Sequence, residues 1–312
     1  MLFKLREGMI YVYVCKYNGF LKINEQALSQ KVYQDKIIQY YRECNNAYRD
    51  AWSLDKNMQL NLGLWKDGCK SLSQALNHLN REVAEKAEIS KNHHVLDAGC
   101  GVGGTAIFLG QNYGCKVKGI TLSPEQAKRA NENAKKFKLQ DQCSFEVMDF
   151  MNTGYPDEQF DIILGIESIC YAEPKIDFLR EAKRLLKPGG RLVLAENLQA
   201  KADLNQQEYK ILYEDAFHGC QVQSLDTAEQ YQSNLSKVGF QSIQCLDYTE
   251  FIRPSINRLR RFYFPAKLYN LFYRSIGKPF SSVQESNTKM CYYLKSSLDQ
   301  GLWKYALISA KK

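Results

Sequence analysis

The chain has 312 residues, of which 45% are hydrophobic and 24% are charged, and its formal net charge is +8. This length and composition allow a full hydrophobic core and exclude the disordered and collagen-like classes. The ten cysteines contain no C-x-x-C pair, so we expect reduced thiols in a cytoplasmic protein, without a zinc site or another metal site. No stretch approaches the roughly 20 apolar residues of a membrane span.

Residues 1–88 are predicted to form an N-terminal extension and a helical cap. The segment YVYVCKYNGFLKI is typical of a β-hairpin with Asn18 and Gly19 at its turn. A translation start at Met9 explains the same segment equally well. The tyrosine-rich residues that follow have helical spacing, and SLSQALNHLNREVAEKAEI predicts an amphipathic helix with one apolar stripe.

Residues 89–312 are predicted to form the main domain. The segments HVLDAG, CKVKGITL, CSFEVMD, FDIILGIES and RLVLAEN read as strands that alternate with helices, which indicates a mostly parallel sheet covered on both faces. Two further strands, QSIQCLDYT and KYALISA, are separated by residues 250–302. Because that separation is too long for a hairpin loop, it predicts an insertion with its own structure. The fold class is α/β, Rossmann-like and doubly wound, with a mostly parallel seven-stranded sheet.

The glycine-rich turn VLDAGCGVGG follows the first of these strands. Its Gly99-x-Gly101-x-x-Gly104 spacing matches the dinucleotide fingerprint, but a nicotinamide site also needs an acidic residue about 20 positions later. That place holds Thr121 and no acid or arginine. Asp97 instead precedes the turn, where a carboxylate suits a cationic amino acid group. S-adenosylmethionine carries an ammonium and a sulfonium and no phosphate, so these residues favour it over a nicotinamide cofactor.

The chain resembles the class I S-adenosylmethionine-dependent methyltransferases over roughly residues 85–200. The segments VLDAGCGVGG, GITLSPEQ, VMDF, GIESICYA and LLKPGGRL carry the likeness. Within that superfamily, CGVGGT, DFMN and IESICYA resemble the sterol, tocopherol and prenyl-quinol C-methyltransferase branch, with the cyclopropane-fatty-acid synthases nearby. The resemblance implies S-adenosylmethionine as the cofactor.

The same resemblance implies a role for each cofactor-binding residue. The glycines would wrap the methionine part of the cofactor, and Asp97 would bind its ammonium. Gln126 would bind the ribose together with the backbone of Thr121 and Leu122. Asp149 would accept a hydrogen bond from the adenine amino group, and Phe150 would pack on the adenine ring. Capping of a turn by Asp149 and core packing of Phe150 are the structural alternatives. The implied cofactor site is Asp97, Gly99, Gly101, Gly103, Thr121, Leu122, Gln126, Asp149 and Phe150.

The predicted catalytic residues are Glu167, Tyr171 and His218. The resemblance places Glu167 and Tyr171 at the methyl acceptor, after the fourth parallel strand, although close relatives have histidine where Tyr171 stands. His218 falls where many methyltransferases keep a base, and a structural histidine is its alternative. Candidates for lining the closed site are Tyr40, Tyr41 and Trp65 from the cap and Phe262 and Tyr263 from the insertion.

The insertion combines basic and aromatic residues. Between Arg253 and Lys278 it contains seven basic residues and no acidic one, a pattern that suits an anionic amphiphilic substrate or peripheral contact with an anionic membrane. A solvated helix over a core stripe is the alternative. No recognised RNA-binding motif accompanies the patch, so no nucleic-acid partner is expected. The segment SIGKPFSS predicts a hinge between two helices of a mobile cap.

Together these features predict methyl transfer to a small, lipophilic, prenyl- or sterol-like molecule. Carbon is favoured as the acceptor atom on the resemblance alone. The alternatives are an N- or O-methyltransferase of a small metabolite, an RNA or protein methyltransferase, and a cofactor-binding regulator without catalysis. The expected partner is a hydrophobic or amphiphilic small molecule, and a homo-oligomer is left open.

Overall fold

The computed structural model describes residues 25–312, so the hairpin expected around Asn18 and Gly19 lies outside the described part. The chain enters with a long helix, α1 (Glu25–Trp52), followed by the single-turn helix α2 (Leu54–Asn57) and by α3 (Leu72–Lys86). The Ser71 hydroxyl caps α3 by accepting from the Gln74 backbone N–H at 3.3 Å. The apolar stripe of α3 is buried, as its spacing predicts.

A seven-stranded sheet forms the centre of the molecule. The strands run in the order β3-β2-β1-β4-β5-β7-β6. All pairings are parallel except those of β7, which is antiparallel to both of its neighbours. The predicted mostly parallel, doubly wound fold is confirmed. The strands are β1 (His94–Ala98), β2 (Lys116–Thr121), β3 (Cys143–Val147), β4 (Phe160–Ile166), β5 (Leu186–Gln199), β6 (Gln241–Asp247) and β7 (Trp303–Lys311).

Helices cover the two faces of this sheet and leave one hydrophobic cluster against each face. Ser123 caps α5 by accepting from the Gln126 backbone N–H at 3.3 Å, and a proline occupies its first turn. The helices between β1 and β6 are α4 (Gly104–Tyr113), α5 (Pro124–Lys136), α6 (Lys175–Leu185), α7 (Gln206–Tyr209) and α8 (Ala228–Val238), with short 3₁₀ or π turns at Ile169–Tyr171, Lys210–Ala216 and Phe217–Cys220.

The insertion between β6 and β7 is a helical hairpin. It consists of α9 (Thr249–Ser275) and α10 (Ser282–Asp299), joined by residues 276–281. The first half of α9 packs on the domain, where Ile252, Ile256 and Leu259 are buried. Within residues 25–312, no helix combines the length and the apolar character that a membrane crossing requires.

Candidate active site

A pocket opens where β1, β2, β4 and β5 end, between the sheet, α1 and the helical hairpin. Aromatic and aliphatic side chains of α1 form one wall, Leu259, Met290 and Leu294 of the hairpin form another, and the glycine turn forms the floor. This is the edge at which the strand order predicts ligand binding, because the carboxyl ends of parallel strands meet there. The pocket therefore joins the cofactor turn to a largely apolar compartment.

Asp97 lies in this pocket with an unsatisfied charge. Its side chain is 3% exposed, and its Oδ2 atom has no hydrogen-bond partner among residues 25–312. Burial raises the pKa of this carboxyl from 3.8 to about 7. A buried carboxylate without a partner is unfavourable, so the site is suited to a ligand that brings a cationic group to this atom.

The glycine turn approaches its neighbours too closely for side chains. Gly99 has a φ of 88°, and a Cβ there would lie 2.3 Å from the Cβ of Ser168. Gly101 also has a positive φ but faces open space and lines the pocket. Gly103 does not line it, because it begins α4 and packs against the Phe145 ring. In place of Gly103, the structure brings Gly104 into the pocket wall.

The end of β2 brings three expected residues into the pocket, namely Thr121, Leu122 and Gln126. The Thr121 hydroxyl donates to Gln126 Oε1 at 2.7 Å. This bond fixes the Gln126 side chain and leaves its amide N–H groups directed away from Thr121. The strand end thus presents polar groups, and no charged group, to the ligand.

Phe150 lines the pocket, whereas Asp149 does not. Phe150 packs edge-on against Phe178, with ring centroids 5.4 Å apart. Both oxygens of Asp149 are occupied, since Oδ1 accepts from the Met151 backbone N–H at 2.8 Å and Oδ2 accepts from Gln34 Nε2 at 2.6 Å. In this structure Asp149 caps a turn and binds α1 through Gln34. The Gln34 amide donates to the carboxylate oxygen that was expected to accept from the adenine amino group.

Glu167 lies at the turn after β4 in a strained backbone conformation, with a φ of 51°. Its Oε1 atom accepts from the Leu62 backbone N–H at 2.7 Å and from the Tyr305 hydroxyl at 2.9 Å. Burial raises the pKa of this carboxyl to about 7, although both hydrogen bonds favour the charged form. A non-glycine residue at positive φ costs about 1–3 kcal/mol and is often found at functional sites. The geometry presents a carboxyl that is able to exchange a proton near neutral pH.

A second carboxyl, which the sequence reasoning missed, holds the turn that carries Glu167. Glu196 is completely buried in β5, and its Oε1 accepts from the Ser168 and Ile169 backbone N–H groups at 2.9 and 2.7 Å. Burial raises the pKa of Glu196 to about 8. A charged residue inside the apolar strand RLVLAEN is the signal that marks this position, because such residues are buried only with partners.

Two tyrosines, Tyr41 and Tyr171, lie next to each other in the pocket wall. The Tyr171 hydroxyl donates to the Cys220 carbonyl at 2.9 Å and lies 3.2 Å from the Tyr41 hydroxyl. Burial raises the pKa of Tyr171 well above its usual value. Tyr171 therefore remains a phenol whose proton is already bonded, which suits an aromatic wall and does not suit a base. Tyr40 also lines the pocket, and its hydroxyl bonds to that of Tyr48.

Two expected residues lie away from the pocket. Trp65 packs between the cap and α9, and its indole N–H donates to the Ser255 hydroxyl at 2.8 Å. His218 is exposed and does not line the pocket. The structure therefore does not bring His218 into this pocket, because its 3₁₀ turn directs the side chain to solvent.

The hairpin residues expected at the substrate lie outside the pocket as well. Phe262 lies under the Arg258 guanidinium at 5.2 Å, and Tyr263 packs against the Tyr292 ring at 5.0 Å. Leu259, one turn earlier, reaches the pocket in their place. The helix turns Phe262 and Tyr263 away from the opening, so they are not part of the observed wall.

Among residues 25–312, the pocket is lined by acidic and neutral groups and by no lysine, arginine or histidine. Asp97 and Glu167 are its carboxyls, and two amides missed from the sequence, Asn61 and Asn197, also line it. The Oδ1 atoms of both amides have no partner within residues 25–312. Those residues also contain no cluster of three or more side chains suited to a metal ion. The pocket thus offers unpaired acceptors, which favours a ligand rich in donors or positive charge.

Comparison with known proteins gives a consistent result. Residues 96–194 match a family model described as a methyltransferase domain. The chain is 30% identical over 196 residues to the 27-O-demethylrifamycin SV methyltransferase of Amycolatopsis mediterranei, covering 63% of this chain and 71% of that protein. It is 27% identical over 250 residues to the chloroplastic tocopherol O-methyltransferase of Arabidopsis thaliana, covering 76% and 71%.

A solved structure shares the fold. It is geranyl diphosphate C-methyltransferase from Streptomyces coelicolor A3(2), in complex with Mg²⁺, geranyl diphosphate and S-adenosyl-L-homocysteine. The TM-score is 0.65 at 18% identity, and the match covers 89% of this chain and 97% of that one. At this identity the likeness shows a common architecture.

Proposed function

The chain belongs to the S-adenosylmethionine-dependent methyltransferases, and from that premise we propose that it methylates a carbon atom of a small, uncharged, lipophilic molecule. S-adenosylmethionine is its cofactor, and when bound it supplies an activated methyl group on a sulfonium. The observation that carries the proposal is the pocket itself. It runs from the carboxyl of Asp97 to the carboxyl of Glu167, and the described part of the chain contributes no lysine, arginine or histidine to its wall.

We assign the cofactor to the glycine-turn end of the pocket. Asp97 Oδ2 would hold the ammonium, because a cation at that atom removes the penalty of a buried, unpaired carboxylate. Gly101 and Gly104 would let the backbone approach the methionine part, Gln126 would meet the ribose, and Phe150 would pack on the adenine. Their places in the pocket wall support these assignments.

We assign the acceptor molecule to the opposite end, beneath α1 and the hairpin. Tyr41, Trp52, Leu259 and Met290 give this end an aromatic and aliphatic wall. An anionic group there would meet no basic side chain from residues 25–312, and it would lie in a pocket that already contains two carboxyls. The geometry therefore supports a neutral or weakly basic acceptor over a phosphorylated or carboxylated one.

The same walls would assist methylation of carbon. A carbon nucleophile gains positive charge as it accepts the methyl group, and the ring faces of Tyr41 and Tyr171 would stabilise that charge. Glu167 would then take up the departing proton, since its pKa of about 7 leaves it partly ionised at neutral pH. Leu62 and Tyr305 would hold the carboxylate in place through their hydrogen bonds. Alignment of the two reactants contributes several kcal/mol more.

Methylation of oxygen is the second candidate. It is favoured by the names of two relatives, which both describe transfer to an oxygen atom. Glu167 would serve this reaction as well, because it lies where a base would remove a hydroxyl proton. The acceptor atom is thus decided by the substrate that the apolar wall selects.

The test is incubation of the purified protein with deuterium-labelled S-adenosylmethionine and a cell extract, followed by mass spectrometry of lipid-soluble, water-soluble, RNA and protein fractions. We expect label in a lipid-soluble small molecule. Fragmentation should place the label on carbon, and label on oxygen would support the second candidate. The matched control is Glu167→Gln, which should bind S-adenosylhomocysteine normally and produce about 10²-fold less labelled compound.

Three outcomes would count against the proposal. Label confined to RNA or to protein would show that a polymer is the acceptor. Label in a phosphorylated or carboxylated metabolite would contradict the argument from the pocket's charge. Binding of S-adenosylhomocysteine without label in any fraction would favour a regulator that has lost catalysis.

A further inference from the structure

The outer part of the helical hairpin, residues 260–286, projects from the domain and is called the hairpin tip below. No residue between Leu259 and Asn287 is buried. The tip therefore contributes nothing to the hydrophobic core, and its basic and aromatic residues are not used by the proposed active site. Such a segment is expected to be polar if it serves only as a solvated extension.

The tip instead exposes large apolar side chains. Phe264, Leu268, Leu271 and Phe272 are 62%, 69%, 66% and 60% exposed. Their spacing of four, three and one residues places them on one side of α9. Of twelve exposed large hydrophobic residues among residues 25–312, six fall between Phe264 and Ile276. Concentration of exposed apolar side chains in a contiguous patch marks an interaction surface.

Basic residues border this apolar stripe. Arg260, Lys267 and Arg274 are seven residues apart, so they form a row along one edge of it, and Arg261 lies at its N-terminal end, one turn before Phe264. Residues 251–284 contain no acidic residue. Arg274 pairs with Glu285 of α10, whereas Arg261 and Lys267 form no salt bridge within residues 25–312. The tip therefore presents an apolar stripe bordered by basic residues, of which Arg261 and Lys267 have no acidic partner in the described part of the chain.

We propose that the hairpin tip docks on the surface of an anionic lipid bilayer. Its apolar stripe would enter the boundary between headgroups and acyl chains, while the flanking basic residues would lie among the anionic headgroups. A second copy of this chain is a poorer occupant, because two tips packed stripe to stripe would bring their basic rows together. Charge complementarity thus favours the bilayer.

The base of the hairpin connects this surface with the active site. Leu259 lines the pocket, and Leu268 lies nine residues further along α9. At about 1.5 Å per residue these positions are separated by about 14 Å. Docking would therefore hold one wall of the pocket close to the bilayer, which is where a lipophilic acceptor is dissolved.

The first test is co-sedimentation with vesicles of phosphatidylcholine alone or of phosphatidylcholine mixed with phosphatidylglycerol, without any methyl acceptor. The wild-type protein should bind the mixed vesicles at low salt and release as salt is raised. Leu268→Ser/Phe272→Ser should lower the partition coefficient by about tenfold or more. Val147→Ser/Leu246→Ser removes two exposed apolar residues elsewhere and should bind as the wild type does.

A charge-reversal pair separates the electrostatic contribution. Arg261→Glu/Lys267→Glu should lower partitioning into the mixed vesicles by about tenfold. Lys128→Glu/Lys135→Glu makes the same change in net charge on exposed positions of α5 and should have little effect. Each variant should keep the wild-type melting temperature and affinity for S-adenosylhomocysteine, because the tip lies outside the core and the pocket.

Several results would overturn the proposal. Wild-type protein that fails to bind mixed vesicles, or that binds both vesicle types equally at all salt concentrations, would show that no anionic bilayer is recognised. Equal losses for the tip variants and their controls would show that the tip is not the contact. A wild-type dimer that Leu268→Ser/Phe272→Ser converts to a monomer, by light scattering and without vesicle binding, would assign the tip to a second copy.

Discussion

The substitution Asp97→Asn should stabilise the ligand-free protein while weakening cofactor binding. Burial raises the pKa of Asp97 from 3.8 to about 7, so the folded state holds this proton more tightly than the unfolded state. The resulting stability is complete below about pH 4 and is lost as the pH rises to about 7. At 1.36 kcal/mol for each pKa unit, the loss is roughly 4 kcal/mol at pH 8.

Asparagine removes this penalty but leaves an amide without a partner, which costs about 1–3 kcal/mol. The expected net gain in the free energy of unfolding at pH 8 is therefore about 1–3 kcal/mol. Each kcal/mol moves the melting temperature by about 2 °C in a chain of this size. At pH 4 the gain should vanish or reverse, because Asp97 is then neutral in the folded state and its burial no longer carries a charge penalty.

The assay combines thermal unfolding of ligand-free protein from pH 4 to pH 8 with calorimetric titration of S-adenosylhomocysteine. Removing one partner of a buried charge pair costs about 2–5 kcal/mol, so the affinity should fall by about 10²-fold or more. Glu125→Gln, an exposed carboxyl that lies outside the pocket, is the control and should leave both measurements unchanged. A variant that is less stable than wild type at pH 8, or that binds with wild-type affinity, would refute the reasoning.

Three further predictions concern the carboxyls around the strained turn. Glu167→Gln should lower methyl transfer by about 10²-fold, the low end for an acid–base group, and calorimetry should find S-adenosylhomocysteine affinity unchanged; normal turnover would remove Glu167 from catalysis. Tyr305→Phe deletes a hydrogen-bond donor to the Glu167 carboxylate, so the pKa of Glu167 should rise. The acidic limb of the pH–rate profile should then move to higher pH, and a limb that stays in place would contradict this prediction. Glu196→Ala leaves two buried backbone N–H groups without an acceptor, so the free energy of unfolding measured in urea should fall by about 1–3 kcal/mol. Glu196→Gln keeps an acceptor and should retain most of that stability. Equal losses for the two variants would show that the acceptor is unimportant.

Excision of residues 255–275 would test the role of the insertion less cleanly than the tip substitutions described above. The sequence predicts that residues 250–302 form a mobile cap, and residues 255–275 make up most of its first helix, α9. Ser255, Ile256 and Leu259 are buried, and the Ser255 hydroxyl bonds to the Leu62 carbonyl. Removing that whole segment would disturb the core beneath the cap, which is why the variants described above are confined to the hairpin tip.

The residue pattern along the chain is enough to predict the sheet, its mostly parallel direction and the floor of the pocket. Alternating strand and helix patterns left few topologies open, and the glycine turn required a close approach at Gly99 that the structure shows. Asp97 and Thr121 were sufficient to favour a cation-bearing cofactor. These features follow from neighbours in the chain, so local spacing contains the information that specifies them.

Which residues meet at the other end of the pocket depends on how the helices pack, and local sequence patterns do not predict it. The apolar spacing of α1 and α9 shows that their aromatic residues can be buried. It does not show which element of the fold will pack against each of them. Packing turned Tyr41 into the pocket and Phe262 out of it. The hydrogen-bond partners of the carboxyls are equally hard to predict, because Asp149 and Glu196 accept from segments distant in the chain. Contacts between distant segments depend on how whole helices are placed against the sheet, and that placement is a property of the packed core.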